Sequence, residues 1–247
     1  MSRYQDGAIS LGLPAKDATD FVAVLKQQDG RLYKRVEVRM LVDAQATRQA
    51  VLDGLKWLRA APSAGDVGML FLAGHGVTDA ADGYHFLPHD VRRSGIPASS
   101  VSEKELRDTL VAIKGKSLFF IDTCFAGQAI GVMRERDVTR LAHTLSSADA
   151  GVIVFSGSGR RQLSLENPSW GNGAFTKALV QGLVGQADFR REGMVTYKGL
   201  DYYVAKEVTT LTDGKQTPVT AVPIGMTDFA LAALRAIAAT TPTGGQP

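Results

Sequence analysis

Apolar residues recur along this chain at two different periods, and the switches between them divide it into short alternating elements. After Pro14 and before Gly30, the residues Ala18, Phe21, Val22 and Leu25 repeat at helical spacing and predict an amphipathic helix over residues 16–28. Residues 35–42 alternate apolar with polar and predict a strand. Over 47–60, Val51, Leu55 and Leu58 step by four and three, which predicts a second amphipathic helix. Val67, Met69, Leu70, Phe71 and Leu72 then form a nearly continuous apolar run, the pattern of a strand buried on both faces.

The same signals continue to the end of the chain. Gly74-His75-Gly76 follows the first apolar run, and residues 83–87 predict a short strand ending at Pro88. A helix is expected over 103–113. Residues 117–121, SLFFI, predict a second buried strand that runs directly into Asp122-Thr123-Cys124-Phe125-Ala126-Gly127. A third, over 151–155, ends in Ser156-Gly157-Ser158-Gly159, and helices are expected over 174–183 and 197–211. This alternation predicts an α/β fold with a mostly parallel central sheet flanked by helices. Open sheets of this kind build their sites beyond the carboxyl ends of the strands. Three consecutive strands here end in GHG, DTC and SGSG, so topology alone should bring His75 and the only cysteine to one rim.

Composition narrows the function without choosing it. At 247 residues, 45% hydrophobic and 21% charged, the chain can bury a full core and reads as one domain. A net charge of +3, scattered without a long run, argues against nucleic acid or membrane as the main partner. A single cysteine rules out an internal disulfide framework and fits a reducing, cytoplasmic setting, while leaving one thiol free for chemistry. The N-terminus lacks a signal-peptide pattern, and no stretch reaches about 18 uninterrupted apolar residues. The closing TTPTGGQP has linker composition, which places a domain at 1–238 and a flexible tail at 239–247.

A thiolate attacks a peptide carbonyl only if it forms near neutral pH and if the leaving amine is protonated, and an imidazole within reach serves both needs. Cys124 as nucleophile and His75 as acid–base partner, 49 residues upstream, meet that description. A tetrahedral oxyanion also needs donors, and the backbone N–H groups of Gly76 and Cys124 are the candidates.

GHG after one buried strand and DTCFAG after the next resemble the caspase-like superfamily, nearer to bacterial caspase homologues and metacaspases than to animal caspases. The spacing of about 50 residues between His and Cys fits that resemblance. LPAKDATDF, QLSLENPSWGNGAFTKALVQGLVGQAD and DGKQTP are similar to the first helix, the post-strand loop with its helix, and the C-terminal stretch of bacterial members. The resemblance implies a caspase-like αβα sandwich, a cysteine-type endopeptidase acting on protein or peptide substrates, and no cofactor. Asp79, Asp82 and Asp90 are spread out, whereas calcium-dependent metacaspases carry a denser acidic cluster. Where animal caspases have Gln two before the nucleophile and Arg after it, this chain has Asp122 and Phe125. In metacaspases the matching aspartate forms the S1 pocket with a second Asp, aligned with Asp17, so the resemblance implies cleavage after Arg or Lys. Family members also carry a central apolar strand just before the segment matching RYQDG.

Plainer readings stand beside these. Asp17 could simply serve its helix N-terminus, and Asp122 could bind loop amides. His85 and His89 have the wrong intervening sequence for a metal pair, and His143 reads as a surface residue. The arginines at 134, 136, 140, 160, 161, 190 and 191 read as solvated faces. The basic stretch 134–144 would be a site of self-cleavage if the enzyme prefers basic P1 residues. The competing functional class is a caspase-like regulatory or partner-binding module, catalytically weak or inactive, and a fused or associated regulatory module is compatible with either class.

Overall fold

The computed structural model describes residues 1–79, 83–125, 138–147, 150–159 and 164–234, with Asp79, Cys124, Phe125, Val138 and Pro168 described by their backbone only. Its centre is a six-stranded sheet in the order β3-β2-β1-β4-β5-β7. The strands are β1 (Val67–Asp79), β2 (Gly83–Phe86), β3 (Val101–Ser102), β4 (Lys116–Phe125), β5 (Val152–Ser156) and β7 (Val219–Ala221). β1, β4 and β5 run parallel, whereas β2, β3 and β7 join antiparallel at the two sides. A separate two-stranded sheet pairs β6 (Met194–Thr196) with β8 (Ala230–Ala233).

Helices cover both faces, as the alternation of elements requires. α1 (Pro14–Lys26), α6 (Ala174–Gln181) and α7 (Tyr197–Leu211) share one core, while α2 (Arg48–Ala60), α4 (Glu103–Leu110) and α5 (Val138–Leu145) share the other. One further turn of helix, α3, spans Ile96–Ser99. The starts are set by side chains that accept otherwise unpaired N–H groups: Thr47 for α2, Thr196 for α7, and for α4 a reciprocal Ser102–Glu105 capping box. Period-two alternation divides SLFFI between the cores, with Phe119 and Ile121 on one side and Leu118 and Phe120 on the other. Phe120 is 1% exposed and packs between Phe21 and Phe155, with both ring centroids 5.0 Å away. Truncating it to alanine should lower the unfolding free energy by about 3–5 kcal/mol, readable as a shifted denaturant midpoint at constant slope.

Two expectations need correction. Residues 35–42 form no strand, and no described strand pairs with them. This segment lies along α2 instead, with Arg39 donating to Asp53 O at 3.1 Å and Val38 and Met40 exposed. Period-two alternation specifies an extended chain but not its partner. The β1 run is also less enclosed than its continuous apolar sequence implies, because Val67, Met69, Leu70 and Phe71 are only half-buried. Among the described residues, 67–73 have β4 as their only strand neighbour. At the far end of that open side the Met1 nitrogen donates to Ala73 O at 2.6 Å.

Among the described residues no helix is long and apolar enough to cross a membrane. The tail 239–247 and the 238 boundary lie outside the described residues.

Candidate active site

Two neighbouring parallel strands bring the candidate catalytic positions together. β1 and β4 pair without a register break from Val67–Lys116 to Gly76–Phe125, which sets His75 directly opposite Cys124. Adjacent strands lie about 4.8 Å apart, so the two residues are direct neighbours across the sheet. The 49-residue separation in sequence is thus the length of the crossover from one strand end to the next. Gly76, the other oxyanion candidate, stands one step further along the same ladder.

His75 is 6% exposed, and its ring is held by a group with no sequence signal: Nε2 lies 2.8 Å from the carbonyl oxygen of Ile9. A carbonyl can only accept, so Nε2 carries a proton, and the lone pair of the neutral ring is on Nδ1. That tautomer makes Nδ1 the nitrogen able to exchange a proton with a nucleophile. The main chain of His75 is fixed as well, its N–H donating to Tyr4 Oη at 2.8 Å, and the two rings pack with centroids 5.2 Å apart.

The glycines of GHG are required by side chains that pack beside the strand. Gly74 has φ +147°, and a Cβ there would sit 2.9 Å from both Tyr4 Oη and Met1 Cβ. At Gly76 a Cβ would fall 2.6 Å from the Tyr84 ring. Both glycines therefore make room for the tyrosines beside His75. Tyr84, fully enclosed, reaches Thr123 Oγ1 at 3.3 Å, beside Cys124 in sequence.

Asp17 and Asp122 come from distant parts of the chain and meet in the interior. They are 2% and 6% exposed, and a Cβ at Gly173 would lie 3.3 Å from Asp17 Oδ2 and 3.4 Å from Asp122 Oδ2. Asp17 Oδ1 accepts from Asn172 Nδ2 at 2.9 Å and from Gly173 N at 3.2 Å, at the start of α6. Asp122 Oδ2 accepts from Thr176 Oγ1 at 3.3 Å. Asp17 thus binds the two residues that lead into α6 although it belongs to the first turn of α1. Burial, and then the Asp122 charge, push the Asp17 carboxyl up to about 7 against the pull of the Asn172 and Gly173 hydrogen bonds. Burial also pushes Asp122 up to about 6, opposed by the Ser164 and Thr176 hydroxyls. Glu166 adds a third carboxylate whose charge raises both, and its Oε2 accepts from Leu13 N at 3.2 Å.

The remaining candidates fall elsewhere. His85 is buried with Nδ1 2.8 Å from Ser100 Oγ, His89 Nδ1 contacts Arg3 O at 2.8 Å, and His143 is exposed on α5. Arg134, Arg136, Arg160 and Arg161 lie outside the described residues, as does Asp82. Arg140, the part of the basic stretch that is described, sits in α5 and pairs with Glu103 at 3.2 Å.

Several residues important to this geometry carried no sequence signal. Ile9 acts through its backbone, and Tyr4 lies in a stretch without periodicity. Glu166, Asn172 and Thr176 lie in the segment QLSLENPSWGNGAFTKALVQGLVGQAD, whose resemblance to bacterial members singles out no individual residue.

Known structures with the same architecture include protein GSU0716 from Geobacter sulfurreducens, 22% identical, covering 85% of this chain and 84% of that one with a TM-score of 0.60. Caspase-1 from Spodoptera frugiperda is 14% identical, covering 90% of this chain and 82% of that one, with a TM-score of 0.58. At these identities the likeness is one of fold. A search of curated proteins finds no match. The sequence model of the caspase domain family matches residues 2–223. With the caspase-like architecture and nearly the whole chain matched, this protein belongs to the caspase domain family, peptidase C14.

Proposed function

We propose that the protein is a cysteine endopeptidase in which Cys124 attacks the scissile carbonyl, His75 transfers protons, and Asp17 with Asp122 receives a basic P1 side chain. The observation that carries this reading is the register of β1 and β4, which pairs His75 with Cys124 at the carboxyl ends of two parallel strands.

In this mechanism His75 Nδ1 takes the proton of the Cys124 thiol, and the thiolate adds to the substrate carbonyl. The tetrahedral oxyanion is met by the backbone N–H groups of Cys124 and Gly76. The imidazolium returns its proton to the leaving amine, the C–N bond breaks, and a thioester remains. Water then adds to the thioester with Nδ1 again accepting a proton, which releases the acid product and the thiol. Nε2–H stays on Ile9 O throughout, stabilising the imidazolium and fixing the ring.

Two buried carboxylates facing one another favour a cation between them. A P1 guanidinium or ammonium would relieve their repulsion and the desolvation that raises both. An acidic P1 residue would meet repulsion from the same pair and from Glu166.

Incubation of folded protein with peptidyl chloromethylketones bearing P1 Arg or Asp, followed by mass spectrometry, tests the assignment. The Arg reagent should alkylate Cys124 at least tenfold faster than the Asp reagent, and His75→Ala should slow the reaction. A non-catalytic binding module predicts that Cys124 in folded protein reacts no faster with either reagent than a model thiol. Faster labelling by the Asp reagent would overturn the pocket assignment.

A further inference from the structure

We propose that Tyr4 is a positioning residue for His75, fixing the loop whose carbonyl selects the imidazole tautomer; the catalytic part of this inference rests on the peptidase reading above. The imidazole is oriented by Ile9 O, a backbone atom on a short 3-10 turn, Gly7–Ile9, whose entry is capped by Asp6. A carbonyl on a surface turn can orient a ring only if the turn is itself held against the strand that carries the ring. Tyr4 makes that connection. Its hydroxyl accepts the His75 N–H at 2.8 Å, its ring packs on the imidazole, and its own N–H donates to Ser10 Oγ at 3.4 Å, one residue after Ile9.

Residues 4 to 10 therefore close a loop around His75, with one end on its backbone and the other on its ring. Tyr4 is 5% exposed although it belongs to no helix or strand, so the contact is built into the core. Gly74, beside His75 on β1, supports the same conclusion, because any side chain there would enter the space Tyr4 Oη occupies. Removing the hydroxyl alone would leave the His75 amide without this acceptor and take away the turn's direct tie to His75, while the Gln5 N–His89 O and Leu11 N–Ser2 O bonds keep its flanks in place. The Nε2–H to Ile9 O bond would then compete with the opposite tautomer, in which Nδ1 carries the proton and can no longer accept one from Cys124.

Tyr4→Phe keeps the ring and removes only the hydroxyl. Nitrogen-15 chemical shifts of His75 should report a single Nε2–H tautomer in the wild type and a mixture of both in Tyr4→Phe. In hydrolysis, kcat should fall about tenfold with KM within twofold, and the acid limb of the pH–rate profile should move. Tyr33→Phe, which removes a half-buried tyrosine hydroxyl bound to Leu231 O at 3.3 Å, serves as the structural control and should leave tautomer and kcat unchanged. An unchanged tautomer population in folded Tyr4→Phe overturns the inference, whether or not the wild type hydrolyses any peptide tested. An active wild type with equal kcat in Tyr4→Phe overturns its catalytic part and leaves the peptidase reading standing. Wild-type protein without thiol reactivity or hydrolysis removes that reading while the tautomer measurement still decides the positioning role.

Discussion

Replacing Cys124 with alanine will abolish hydrolysis of peptides with basic P1 residues, lowering kcat by about four orders of magnitude or more. The expectation follows from the chemistry, because without a nucleophile no acyl-enzyme forms and only polarisation of the carbonyl remains. His75→Ala should lose a comparable amount, since a thiol without its base ionises little at neutral pH. The double variant should be no worse than either single one, because the two residues act as a unit. All three proteins should remain folded, because β1 and β4 are held by ten paired positions and by both cores, with a lowered melting temperature expected for the two variants that lose the buried His75 ring. Additive losses would mean that the two positions act independently and that the pairing across the strands has no catalytic meaning.

Asp122→Asn will be the second large effect, and it will depend on both substrate and pH. Losing a buried charged partner of a P1 cation weakens transition-state binding by about 3 kcal/mol, roughly a 100-fold drop in kcat/KM for P1 Arg. A peptide with the neutral isostere citrulline at P1 should change far less. In the wild type, the ratio of kcat/KM for Arg to that for citrulline should rise as pH increases through 6 to 7, where Asp122 and Asp17 ionise. Taking the ratio removes the titration of His75 and Cys124, which both substrates share. The stability of the unliganded protein should move in the opposite direction. Both folded-state values are raised above the ordinary 3.8, so the folded chain binds more protons than the unfolded one between about 4 and 7. This contribution to stability is fully present below the lower value and is lost as pH rises through the folded values. Asp122→Asn should accordingly raise the melting temperature at pH 8 relative to wild type and leave little difference at pH 4. A pH-independent Arg-to-citrulline ratio would remove the two carboxylates from the pocket.

Much of this architecture was legible because it rests on local rules. Helix positions follow from apolar spacing and caps, as at Thr47 and Ser102, and the buried strands follow from runs such as SLFFI. The meeting of His75 and Cys124 was legible from topology, since strands joined by helical crossovers deliver their carboxyl ends to one rim. Pairing is a different matter. Residues 35–42 have a strand's alternation, yet hydrogen-bond partners are a property of the sheet, and no described strand lies beside them. The contacts that orient the site were illegible for a related reason. Ile9 contributes a carbonyl, which every residue has, and Tyr4 contributes a hydroxyl whose target lies 71 residues away. The glycines beside His75 were legible as small but not as places for Tyr4 and Tyr84.

The most direct test of the central claim is hydrolysis of matched fluorogenic peptides with P1 Arg, Lys or Asp by demonstrably folded wild-type protein, with Cys124→Ala as the blank. The account predicts turnover of the Arg and Lys peptides, none of the Asp peptide, and none by Cys124→Ala. Cleavage after Asp, or equal turnover by Cys124→Ala, would contradict it.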